Sequence, residues 1–370
     1  MPVNGELGIF DTRNATEETS VYTVGFPASD FTDTSATYLY GLKDGQKLVF
    51  DVTGTTWYKG PGALSASKSP ISLRTGGSKD FLTLNNAAAN TTPAFLMTNG
   101  ILSCSYSATL GSFVEFRGGD WNWLDPNDVE TPAALKLVIG QNDTNVSVRV
   151  CDGATLHTHD IQVCDGTFEI LGGTHAVKGS TTTANAINLG GKTERDPLMV
   201  LSNATVNLVQ GRVAVGSTAN AKATLDLAGS ARIPEVTRLY VGLANDVKGV
   251  MRLSGTSSVN VTDRLCVGSD YDGNSAAHGR IELTDQASLT VKSARVGYLQ
   301  PSKGAADERG EISLDGHSTL TYTGSGTASD FVFMVGDLGA GTGVVSVAGH
   351  AQLIADKSVE KRPYVRFGSS

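Results

Sequence analysis

The chain has 370 residues, a net charge of −8 and 43 glycines against 11 prolines. The acidic balance, with no basic patch, excludes a nucleic-acid-binding surface, and no run of 18 apolar residues is present to form a transmembrane helix. The four cysteines, Cys104, Cys151, Cys164 and Cys266, have neither zinc-ligand spacing nor a Cys-x-x-Cys pair.

The opening residues, Met1-Pro2-Val3-Asn4-Gly5-Glu6, lack the basic and apolar regions of a signal peptide. The expectation is a secreted chain from which the signal has been removed. Residues 1–60 contain strand-like runs such as Leu48-Val49-Phe50-Asp51-Val52 but no clear repeat, and they are read as a cap or as degenerate first turns. Residues 61–370 are assigned to a solenoid, transitional up to about 135 and clearest over 135–368. Within the transitional part, Phe113 to Trp123 has the form of one rung with a bulky corner.

From there a string of the type apolar-x-Val-Gly recurs. It ends on Gly216, Gly242 and Gly268 at a spacing of 26 residues, then on Gly297, Gly336 and Gly368 at 29, 39 and 32. Gly140, Gly166 and Gly190 follow similar apolar runs upstream. Between these glycines a second pattern returns, as in Met251-Arg252-Leu253-Ser254-Gly255 followed by Val259-Asn260-Val261, and Ile281-Glu282-Leu283-Thr284-Asp285 followed by Leu289-Thr290-Val291. Each segment alternates with period two and is too short for a helix, so each is a strand with one buried face. Gly, Asp and Asn punctuate the corners. Like offsets in successive turns stack as parallel ladders. The predicted fold is all-β, a right-handed parallel β-helix (three-sided β-solenoid) of about 26 residues per rung. Val215, Val241, Val267, Val296, Val335 and Phe367 form one inward ladder, with Val213, Leu239, Leu265, Ala294, Phe333 and Val365 beside it. The residues between them, including Tyr240 and Cys266, are expected to face out. The final rung, Tyr364 to Gly368, is followed by no capping segment, which predicts either that the natural protein continues with further rungs or that another copy or a neighbouring chain covers it end to end.

The strings Gly279 to Val291 and Val114 to Trp121 resemble, in repeat style, the passenger repeats of autotransporter-like and surface-anchored bacterial β-solenoids. The resemblance spans roughly residues 110–368 and carries over no catalytic residue. It implies an extracellular or cell-surface location and an adhesive, structural or glycan-related role.

Several residue groups are candidate sites. Trp121 and Trp123, two apart, could stack on sugar rings or fill an irregular core. Asp270, Asp272 and Asn274 offer alternating oxygens of the kind that hold calcium, although corners favour these residues in any case. His157 and His159, with His175 about one rung later, could ligate a metal or lie on a solvated face. Asp226, Arg252, Glu282 and Ser313 share an outward offset of mixed sign, more in keeping with a charge ladder than with an acid/base pair. Cys151 and Cys164 stand in matching Val-Cys-Asp-Gly strings, compatible with a bridge or with two free thiols. The expected function is non-catalytic: a secreted or surface stalk, adhesin or self-assembling subunit. The alternative is a carbohydrate-active enzyme, a lyase or tailspike-like hydrolase, whose site would lie on an outer face or in the insertions of 297–336.

Overall fold

The computed structural model describes residues 113–122, 136–141, 146–179, 181–270, 272–299, 309–324, 332–336, 341–356 and 364–367, together with short strand segments before residue 111. It divides into two compact units, Met1–Ser180 and Thr181–Ser370. Among the described residues there is no helix; the chain is all-β, with parallel sheets stacked as a β-solenoid.

In the C-terminal unit three series of strands repeat. The first comprises Leu198–Ser202, Lys222–Ala228, Lys248–Leu253, His278–Leu283, Arg309–Leu314 and Thr342–Val347, each paired in parallel with the next. A second series includes Ser288–Val291, Thr319–Tyr322 and Gln352–Ala355, and a third includes Arg212–Val215, Ala294–Val296 and Val332–Val335. In two turns the second and third strands run together as the single strands Arg232–Val241 and Ser258–Val267. There the expected glycine or aspartate corner is replaced by register shifts around Val236. Val236 and Val261 pair across these turns and are both buried, so the chain rounds the core by a bulge and not by a turn.

The predicted inward ladder is in register throughout. Val215 pairs with Val241, Val241 with Val267, Val267 with Val296, Val296 with Val335, and Val335 with Phe367. Val241, Val267 and Val296 are completely buried. The corner between the first and second series is a column of left-handed residues: Asn203, Gly229, Gly255, Asp285, Gly316 and Gly349, with φ between 54° and 69°. Gly, Asn and Asp tolerate that backbone best, which is why these types punctuate the repeat. Beneath the corner lies a fully buried column of small residues, Ala204, Ala231, Ser257, Ala287 and Ser318.

A second glycine column holds successive turns together. A Cβ on Gly279 would lie 2.1 Å from the Val241 carbonyl oxygen and 2.2 Å from the Gly268 nitrogen; one on Gly310 would lie 2.2 Å from the Gly297 nitrogen. The Val-Gly glycine of one turn therefore lies against the glycine of the next first-series strand, as Gly268 does against Gly279 and Gly297 against Gly310. The strings Lys-Gly, His-Gly, Arg-Gly and Thr-Gly at 248–249, 278–279, 309–310 and 342–343 carry this column.

The N-terminal unit pairs its strands in the same parallel manner. Val21 pairs with Lys47 and Phe31 with Trp57, both at the 26-residue offset, although no repeat is apparent there in the sequence. Arg74–Thr75 and Lys79–Asp80 form one antiparallel pair.

The positions between the inward valines are not solvent-facing as expected. Ala214 and Cys266 are completely buried and Tyr240 is 4% exposed. A long charged side chain covers Tyr240. The Arg212 guanidinium lies over the Tyr240 ring at 5.8 Å. Burial raises the pKa of the Cys266 thiol, and the Arg295, Arg264 and Arg238 charges act against that shift. Arginine stems can cover apolar surface while their heads stay wet.

Candidate functional site

The outer face of the first strand series carries an array of opposed charges. Asp226, Arg252 and Glu282 stand in register on consecutive turns. Arg252 donates Nε to Glu282 at 3.0 Å and a terminal nitrogen to Asp226 at 3.3 Å. Arg280 reaches Glu282 at 2.7 Å and also Glu311, which in turn pairs with Arg309. Burial pushes the Asp226 carboxyl above its ordinary range, with Arg252 opposing and Glu282 reinforcing that shift.

The N-terminal unit repeats the motif. Glu115, Arg149 and Glu169 are in register, and Arg149 bonds Glu169 through Nε at 2.8 Å and lies 3.6 Å from Glu115. Arg117 bonds the same Glu115. Arg252 and Arg149 thus each separate two carboxylates. That is the alternating ladder read from Asp226, Arg252 and Glu282, and it offers neither a free general base nor two carboxyls flanking an open space.

The histidines divide. His175 is buried, accepts the Leu156 N–H at Nδ1 (3.1 Å) and donates Nε2–H to the Gly172 carbonyl (2.7 Å). Both ring nitrogens are thereby engaged with backbone, and burial lowers the pKa of the imidazole. His159 is likewise buried, and His157 lies half-buried on Ala154–Thr158. Among the described residues no three His, Cys, Asp or Glu side chains converge as a metal site. In the loop after Ser258–Val267, Asp270 Oδ1 accepts the Asn274 N–H at 2.7 Å and closes the turn. Cys151 and Cys164 are free thiols, and Cys151 lies 3.6 Å from Glu115. Trp121 sits on Gly119–Asn122, in backbone register with Leu102 on one side and Leu156 on the other. Trp123 and the insertions at 300–308, 325–331 and 337–340 lie outside the described residues.

One outward column was not singled out in the sequence. Arg212 pairs with Arg238 and Arg238 with Arg264, on three consecutive turns. Asp263 accepts from Arg238 at 2.8 Å and lies 3.6 Å from Arg264. Among the described residues Arg212 makes no ion pair, and its Nε is buried without a hydrogen-bond acceptor. The signal is legible in retrospect: Arg-apolar-x-Val-Gly occurs at 212–216, 238–242 and 264–268, at the same 26-residue spacing as the glycines.

No protein-family model matches the chain, and no curated protein or solved structure is significantly similar to it.

Proposed function

We propose that the protein is a non-catalytic, extracellular or cell-surface β-solenoid that associates end to end with further copies of itself, in the manner of a stalk, adhesin or assembly subunit. The observation that carries this reading is the last described turn. Val347, Leu353 and Val365 are 48%, 39% and 39% exposed, whereas Leu314, Leu320 and Phe333, their partners in the preceding turn, are exposed by 1% or less. Among the described residues, Thr342–Val347, Gln352–Ala355 and Tyr364–Phe367 pair on one side only. An unpaired strand edge with apolar side chains is a template for another β-layer, and the layer that fits these ladders is a turn of the same kind. The absence of catalysis is supported by the ion pairing of Glu115, Glu169, Asp226, Asp263, Glu282 and Glu311, each of which lies against an arginine. The extracellular setting rests on the repeat style of Gly279 to Val291.

Light scattering and electron microscopy of the purified chain across a concentration series test the reading. Association that is abolished by Leu353→Lys, with the monomer still folded, is the expected result. A strictly monomeric parent chain at high concentration would overturn it.

A further inference from the structure

The two outward charge columns of the C-terminal unit obey opposite rules. Asp226, Arg252 and Glu282 alternate in sign, so each charge is compensated by the rung beside it. Arg212, Arg238 and Arg264 repeat one sign on three paired rungs; Asp263 accepts a hydrogen bond from Arg238 and forms an ion pair with Arg264. Like charges directly opposite one another on paired strands are destabilising. A purely structural column would be built as the first one is.

We propose that the column Arg212–Arg238–Arg264 binds a linear acidic polysaccharide, carrying carboxylate or sulfate groups, laid along the solenoid axis. Rungs follow one another at about 4.7–4.9 Å, comparable to one sugar residue of an extended chain, so successive anionic sugars meet successive guanidinium groups. The planar guanidinium fork binds carboxylate and sulfate oxygens in bidentate fashion. Arg238 is oriented by Asp263, while Arg212 rests on the Tyr240 ring and has no ion-pair partner among the described residues. An anion on this column supplies an ionic partner for the outer part of the Arg212 guanidinium; the buried Nε stays beneath it. A nucleic-acid strand fits less well, because Tyr240 is 4% exposed and presents no face for base stacking, and the chain is acidic overall. The site lies on the side of the coil, apart from the exposed end turn, and does not depend on assembly.

The test uses the full chain in a Leu353→Lys background, so that retention reports the side face and not end-on association. Affinity electrophoresis and titration calorimetry are run with polygalacturonate, dextran sulfate, fully methyl-esterified polygalacturonate and a single-stranded oligonucleotide. The expected result is binding of polygalacturonate or dextran sulfate that weakens as salt rises, with no binding of the methyl ester. Arg212→Gln should weaken it roughly tenfold, the equivalent of one charge-assisted hydrogen bond. Its melting temperature should equal or exceed that of the parent, since one like-charge contact is removed. Failure to bind either polyanion overturns the proposal. So do equal binding of the methyl ester, tighter binding of the oligonucleotide, and undiminished binding by Arg212→Gln.

Discussion

Ser257 shows how finely single positions are matched along a column. Its neighbours above and below are Ala231 and Ala287, and all three are completely buried. The Ser257 hydroxyl has no hydrogen-bond partner, whereas Ser318, further along the column, donates to the Leu283 carbonyl at 3.2 Å. A buried, unsatisfied hydroxyl costs roughly 1–3 kcal/mol. Ser257→Ala should therefore raise stability by about 1 kcal/mol or more in denaturant titrations, while Ser318→Ala should not. His175 sets a pH dependence. Burial lowers its pKa in the folded state, so the unfolded chain takes up the proton more readily. The stability it contributes is complete above the unfolded value of about 6.5 and is lost as the pH falls below it. Unfolding measured between pH 7 and pH 5 should show this loss in the parent chain and not in His175→Gln.

At the scale of the strand and the turn, the glycine column is the most demanding element. Gly279 has no room for a methyl group, because the Val241 carbonyl and the Gly268 nitrogen occupy that space and both are backbone. Gly279→Ala should destabilise the chain by more than about 2 kcal/mol, at the upper end of ordinary substitutions, and thermal unfolding measures it. The sequence made the inward valines legible because a buried face admits only apolar types and the spacing is regular; every rung of that ladder is in register. It misdirected at Tyr240 and Cys266 because alternation reports which side of a strand a residue occupies, not what lies over that side. The arginine column escaped notice because polar positions vary freely in a solenoid, and a repeat among them stands out only when the rungs are aligned. In the N-terminal unit the 26-residue offset of Val21 with Lys47 was hidden, since strand pairing there does not require repeated residue types.

For the molecule as a whole, the proposed end-to-end association sets apolar attraction at the last described turn against a net charge of −8. If two copies approach end on, their like charge slows and weakens the encounter, and salt screens it, with a Debye length of about 10 Å at 0.1 M. End-to-end association should therefore strengthen as salt rises, while binding of a polyanion to the arginine column weakens. The opposite salt slopes separate the two interactions in one series of scattering and retention measurements. A heterologous contact at that end would not close and would grow filaments, whereas a two-fold contact would stop at dimers, and micrographs distinguish them.

The contact between the Val-Gly glycines and the glycines of the following strands also determines how such a chain can change length. Loops between contacts can grow, as the 29-, 39- and 32-residue spacings beyond Gly268 show. A change inside the strands would shift every later side chain to the wrong face. Removal of residues 216–241 as a block would join Val215 to Gly242 and bring the arginine of one turn onto that of the turn after next, with each valine still above a valine. Length changes that keep this register therefore come as whole turns, like links added to or taken from a chain, or as extra residues in the loops between contacts.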